Sequence, residues 1–557
     1  MTGGRPSTDE RSSRMAPAPS GKVSWHRAYR SAPRWLLPLA TVLLVATVYV
    51  LTGPGNRTEA DDAFWFAYDI EHGSLRNLLG HDHASHLLFL PLARGLFNLV
   101  RLFNIEIRAY DAVRLANCFV AATTVVLLGS VLRRQLRLSS FAAMAGAAGF
   151  AVSYGVWRYA NEAEVYAVAL LVIVVLCLMA FSGLRSTTAV IMASVVATLG
   201  IVIHILGVIP AIVIVPVVLL LERRVRDVVV YALCLALLAG TVAYGTYRYA
   251  AAPQQSFVGY LLGPSPDTNY SARAIPQSIA SLGQDIATSN FLFAHPGIAR
   301  RIVAAFPMQY LVEEQYAGER SDGVARTVPL ATAPLLLLLV ALVIWFTRRR
   351  PPDHDSTRRV APPLAALAVW ILAYWVFVLG RSSSAPEAWI PLLPAVWILI
   401  AVVFLEGAQT RAQRAVVVAL LIVLAIHNLA GGLWMVRSRS TDFNAVKADW
   451  LLVHAGTGDV ILTADGAVFE RYLRYYSTAE VIGLEDVPPN ELANVYAAKV
   501  AEPGRLFATA GALDPPSQLA DLDPARYDVL RQFASTIRGD FRRAVDSDVG
   551  DIYVLRR

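Results

Sequence analysis

Asp61 and Asp62 stand side by side in ADDAFWFAYDIEHG, just after the first long apolar run of the chain. Adjacent carboxylates beside a bilayer are costly unless they meet water, a metal ion or a substrate. A carboxylate there can take a proton from an acceptor hydroxyl, or hold a divalent cation that neutralises phosphate. The pair also suits a plainer task, because Asp ahead of the helical run AFWFAYDIEHG is a good N-cap. A little further on, HDHASH supplies His81, Asp82, His83 and His86, at a spacing open to metal ligation or substrate contact. The Glu of a zincin motif is missing, and imidazoles hydrogen bonded at the start of an amphipathic helix account for the same cluster.

Two more segments carry charge close to apolar runs. WRYANEAEVYA places Arg158, Glu162, Glu164 and Tyr166 in a short turn. Charges so near a membrane are usually functional or paired, although one Glu could cap the next helix and the aromatics suit an interfacial belt. RSSSAPEAWIPLLP places Arg381 at a span end, where a guanidinium suits a phosphate or diphosphate and also suits snorkelling. Lone His204 and His427 read as hydrogen-bonded histidines inside the bundle. No Walker A, Rossmann or G-x-S-x-G element occurs in a suitable setting, so ATP-driven transport has no support.

The elements that position these residues follow from composition. Of 557 residues, 56% are hydrophobic and only 16% charged, against about 25% charged in a soluble domain. The apolar residues form about eleven candidate spans, at 35–52, 110–132, 139–157, 163–182, 187–203, 205–221, 228–249, 328–346, 361–380, 388–405 and 415–436. The expected fold class is mainly α, a polytopic helical membrane protein with a small C-terminal extracytoplasmic α/β domain. The net charge of +7 is concentrated in short loops between apolar runs, which is the pattern of topology control and not of nucleic-acid binding. Placing the N-terminus inside puts RRQLR, Arg185, ERRVRD, TRRRPPDHDSTRR and the pair Arg411 and Arg414 on the cytoplasmic side. The outer face then receives the loops 53–109 and 250–327, the NEAEVYA turn and the C-terminal segment.

Residues 1–33 read as a disordered cytoplasmic tail, 34–436 as the transmembrane domain and 437–557 as the α/β domain. In that last part GDVILTA and DIYVLRR look like strands and FERYLRYY like a helix. HLLFLPLARGLFNLVRLF, at 86–103, reads as an interfacial helix, with a membrane-dipping hairpin as the rival. Cys118, Cys177 and Cys234 all lie in apolar runs, which argues against a disulfide framework. Abundant Arg and Ala suit a GC-rich bacterial genome, hence a bacterial cell membrane.

Taken in order, the acidic pair, its trailing aromatics Phe64, Trp65, Phe66 and Tyr68, the turn Glu71-His72-Gly73 and the histidine cluster resemble the first outer loop of the GT-C superfamily of membrane glycosyltransferases. NEAEVYA is similar to a turn in relatives of protein O-mannosyltransferases, and EAWIPLLP to their late W-x-P-x-x-P element. The usual His-Pro-Pro segment is absent. The resemblance implies transfer of a sugar from a polyprenyl-phosphate donor to an extracytoplasmic glycan, lipid or protein acceptor. It implies Asp61 as general base, with Asp62 assisting or binding a metal. Substrate contacts would come from Arg158, Glu162, Glu164, Tyr166, Arg381, His81, His83 and His86. A divalent cation (Mg or Mn) would sit on Asp61, Asp62 and Glu164. A lipid-linked glycan flippase and a non-catalytic envelope glycan-binding protein are the alternative readings.

Overall fold

The computed structural model describes residues 35–57, 62–80, 86–251, 255–262, 274–305, 311–347, 354–380, 385–546 and 550–556. The expected N-terminal tail, Asp61, His81, Asp82, His83 and Arg381 lie outside the described residues.

Among the described residues six helices are long and apolar enough to cross a membrane: Ala109–Gln135, Val225–Ala250, Gly323–Phe346, Ala361–Leu379, Pro386–Leu405 and Arg411–Leu433. The shorter apolar helices Leu36–Leu51, Ser140–Val152, Tyr166–Phe181, Thr187–Ile203 and Ile205–Leu221 fall on the other expected spans. The chain is a multi-pass membrane protein, because only helices with internally satisfied backbone can carry such apolar runs across a bilayer. The bundle core is built round the fully buried Trp370, Trp389, Tyr374 and Phe150.

One expected span departs from its sequence reading. The segment expected at 139–157 stops at Val152, turns at Ser153 and resumes as a single short helix, Tyr154–Tyr159. Carbonyls freed by the break are met by side chains from other helices. Tyr49 Oη donates to Ala151 O at 2.8 Å, and Asn428 Nδ2 to Val152 O at 2.7 Å. Trp397 Nε1 donates to Ser153 Oγ at 2.8 Å, while Ser153 Oγ donates to Gly149 O. A helix end inside a bundle needs such partners. Gly149 permits the close approach, since a Cβ there would lie 2.1 Å from the Trp397 ring. Beyond the break Arg158 and the NEAEVYA turn are buried.

The expected interfacial helix is present as Phe89–Leu102, with Phe89, Leu90 and Phe97 buried and Leu92, Leu99 and Leu102 exposed. Its Arg94 Nη1 donates to the carbonyls of Ile70 and Gly73, closing the end of helix Ala63–His72.

The C-terminal part holds a mixed sheet of strands β1 (Val460–Thr463), β2 (Glu480–Gly483), β3 (Leu506–Thr509), β4 (Phe541–Val545) and β5 (Ile552–Leu555). Their order is β2-β1-β3-β5-β4, with β1 parallel to β2 and β3, and β5 antiparallel to β3 and β4. β1 and β3 are buried along their whole length, as the unbroken runs VILT and LFAT require.

This sheet domain shares a core with the first loop. Phe64, Phe66, Ile70, Phe89 and Tyr110 pack in one cluster with Ala448, Leu451, Phe469, Tyr472 and Tyr475. Polar contacts close the seam. Asn56 Nδ2 donates to Thr441 O at 2.7 Å, Arg57 Nη1 to Tyr476 Oη at 2.5 Å, and Tyr475 Oη to Glu71 Oε1 at 3.0 Å. Arg108 Nη2 donates to Tyr475 O at 2.7 Å.

Candidate functional site

Asp62 occupies the N-cap position of helix Ala63–His72, yet its side chain makes no capping bond. Its Oδ1 accepts instead from Arg471 Nη1 at 2.6 Å. Arg471 belongs to helix Ala467–Tyr476 of the sheet domain, and its guanidinium lies 4.4 Å from the Trp65 ring centroid. The capping explanation for this half of the acidic pair therefore falls away, and its carboxylate is paired across the seam between loop and domain.

The NEAEVYA turn separates its two glutamates. Glu162 is fully buried, ion-paired with the equally buried Arg158, and accepts the Tyr110 hydroxyl. Asn117 Nδ2 donates to both Glu162 O at 2.8 Å and Glu164 O at 2.6 Å, which clamps the turn onto span Ala109–Gln135. In this structure the Arg158 charge is met by Glu162, so the two residues act as a lock on the turn. Glu164, two residues past Glu162, lies within electrostatic reach of Tyr166.

Tyr166 lies within electrostatic reach of Asp62, Glu164 and Glu387. A run of rings leads to it: Phe66 against His86 at 5.2 Å, His86 against His204 at 5.0 Å, and His204 against Tyr166 at 5.5 Å. His204 Nδ1 accepts from Leu206 N at 3.2 Å, and His427 bonds Thr332 Oγ and Thr288 O, so both are held inside the bundle.

Sequence reasoning missed three members of this neighbourhood. Glu387 was quoted within EAWIPLLP but not singled out. Arg471 lies in FERYLRYY, which reads as an ordinary amphipathic helix. Asp285, on helix Ala274–Ile286, gave no local signal at all. It is 1% exposed, and its Oδ2 has no hydrogen-bond partner among the described residues. Burial, reinforced by the charge of Glu387, pushes its carboxyl well above the usual carboxylate range. Its Oδ1 sits against the Gly155 backbone, where a Cβ would come within 2.6 Å.

Among the described residues no three His, Cys, Asp or Glu side chains come together to hold a metal ion. Asp62 is engaged with a guanidinium and Asp61 lies outside the described residues, and no step below is routed through a cation. A groove of about 890 Å³, lined by Tyr496, Val500, Asp540 and Arg556, lies on the sheet domain and includes none of these groups.

Glu470, next to Arg471, titrates in the neutral range. Burial raises its carboxyl to about 7; Arg474 opposes this, while Asp486 and Glu485 add to it. The folded state thus favours the protonated form. That contribution is complete below the unfolded value near 4.5 and is lost as pH rises through about 7. Glu470→Gln is expected to raise the melting temperature of the full chain by about 2–4 °C at pH 8 and to leave it unchanged at pH 4.5. Thermal unfolding at the two pH values checks this, and an equal gain at both would contradict it.

Residues 94–227 match the family model described as the N-terminal domain of protein O-mannosyl-transferase TMEM260. Comparison with curated proteins finds no match. Among solved structures, the oligosaccharyltransferase of Archaeoglobus fulgidus with Zn and sulfate aligns over 88% of this chain and 70% of its own, at 11% identity and a TM-score of 0.46. ArnT from Cupriavidus metallidurans in the apo state aligns over 93% and 97%, at 11% identity and a TM-score of 0.44. The arabinofuranosyltransferase AftD from Mycobacteria aligns over 95% and 40%, at 13% identity and a TM-score of 0.39. Through residues 94–227, which include the NEAEVYA turn, the chain is similar to membrane O-mannosyl-transferases, in agreement with its resemblance to the GT-C glycosyltransferases.

Proposed function

We propose that the protein is a membrane glycosyltransferase that moves a sugar from a polyprenyl-phosphate donor to a hydroxyl-bearing glycan, lipid or protein acceptor. The observation that carries this reading is the match of residues 94–227 to an O-mannosyl-transferase domain, in a chain whose Asp62 carboxylate stands at the seam of first loop and sheet domain. The site would open on the outer face of a bacterial cell membrane, with the N-terminus cytoplasmic.

The chemistry is a displacement at the anomeric carbon. The acceptor oxygen forms a bond to that carbon while the bond to the phosphate oxygen breaks. The acceptor proton goes to the Asp61-Asp62 pair, and polyprenyl phosphate leaves with the bonding electrons. Phosphate is a good leaving group once its charge is met, so the protein mainly supplies positioning and electrostatics. Arg381 is the proposed phosphate contact. Glu164 and Tyr166 would orient the acceptor, with His86 behind them and His81 and His83 as further contacts. Arg158 and Glu162 hold the turn that presents Glu164.

The test is incubation of the purified full chain in lipid nanodiscs with polyprenyl-phosphate sugars, mannose first, and hydroxyl acceptors. Free polyprenyl phosphate is expected in step with glycosylated acceptor. Passage of intact donor between leaflets without its cleavage would replace this reading by the transporter.

A further inference from the structure

We propose that Arg471 is a positioning residue for the Asp62 carboxylate, supplied by the sheet domain, so that the site is complete only while that domain is docked on the first loop. The inference rests on the glycosyltransferase reading above. Arg471 and Asp62 are 409 residues apart in sequence and 2.6 Å apart across the seam. A charge-assisted hydrogen bond of this kind fixes the direction of a carboxylate. No bond within its own helix does so, because Asp62 leaves the cap unmade.

The helix that carries Arg471 is itself held. Tyr472 meets Phe64 edge-on at 5.0 Å, Tyr475 lies 6.0 Å from the same ring, and Tyr475 and Tyr476 bond Glu71 and Arg57. The orientation of Asp62 is therefore inherited from a packed element of another domain, which is the arrangement an active group needs to stay within a few tenths of an ångström of its productive position. The pair is still open to a ligand, since the Arg471 and Asp62 side chains keep 24% and 36% of their exposure. Trp65, under the guanidinium, limits where Arg471 can swing.

The test measures steady-state kinetics of the full chain in nanodiscs, with a polyprenyl-phosphate sugar and acceptor. Variants are Arg471→Gln, Arg471→Lys and, as a docking control away from the carboxylate, Tyr475→Phe. Arg471→Gln is expected to lower kcat by about 30–100-fold with the donor KM within about twofold of wild type. Arg471→Lys is expected to recover about fivefold over the Gln variant, since it restores charge but not the planar fork. Tyr475→Phe is expected to keep kcat within about threefold of wild type. Thermal unfolding confirms that each variant is folded, and Arg471→Met replaces Arg471→Gln if the latter is not. A wild-type kcat in the Gln or Met variant overturns the proposal and leaves the glycosyltransferase reading standing. So does a loss in Tyr475→Phe as large as that in Arg471→Gln, which would reduce Arg471 to a docking contact. Absence of turnover by the wild-type chain with every polyprenyl-phosphate sugar overturns both.

Discussion

Asp62→Asn in the folded full chain is expected to lower turnover by about 10²–10⁴-fold, the range set by losing a positioned general base or the charge that assists it. Asn matches Asp in shape and still offers Arg471 an oxygen to bond, so the seam between loop and domain should survive. Asp61→Asn should fall in the same range, and the larger of the two losses marks the residue that takes the acceptor proton. The measurement is release of free polyprenyl phosphate by purified protein, with separate kcat and KM. A fall in kcat and in kcat/KM by the same factor is the signature of an interaction made only in the transition state. Turnover near wild type in both variants would remove the acidic pair from the mechanism.

The second large effect concerns stability. Arg158→Met leaves Glu162 fully buried with its ion partner gone and only the Tyr110 hydroxyl among the contacts described above. Breaking a buried pair from one side typically costs about 3–5 kcal/mol, because the remaining charge has lost both water and partner. Glu162→Gln should cost a similar amount from the other side. The double variant Arg158→Met, Glu162→Gln is expected to lie within about 2 kcal/mol of wild type, since no uncompensated charge is left. Thermal or denaturant unfolding of the four proteins closes the cycle. Additive losses in the double variant would show that the two residues do not act as a pair. The result also bears on function: if the lock is structural, its loss should release the turn that presents Glu164.

Much of the scaffold was legible in the amino-acid sequence. The spans could be read because each is a local run of apolar residues that must bond its own backbone, whatever packs around it. Leu36–Leu51 and Val225–Ala250 need no neighbour to announce them. The short apolar runs VILT and IYVL and the amphipathic pattern of FERYLRYY are equally local signals. The break at Ser153 was not legible. One serine in an otherwise apolar stretch is no signal of a break, and what stabilises the interruption is Tyr49, Trp397 and Asn428 arriving from other helices.

The site divides in the same way. By itself the sequence determined which carboxylates stand beside apolar runs, because a charge there is conspicuous wherever it falls. It also carried the NEAEVYA turn, which lies inside the 94–227 match. Only the tertiary structure decided what each carboxylate does next. Glu162 and Glu164 are alike in sequence, yet one is locked by Arg158 and Tyr110 while the other lies outside that lock, within electrostatic reach of Tyr166. Asp285 and Glu387 join from distant segments. Asp62 finds its partner in Arg471 of the sheet domain. The Tyr110–Glu162 and Arg471–Asp62 pairings join residues 52 and 409 positions apart, where no periodicity or spacing links the partners. They are fixed by which apolar faces pack together, and the charges follow.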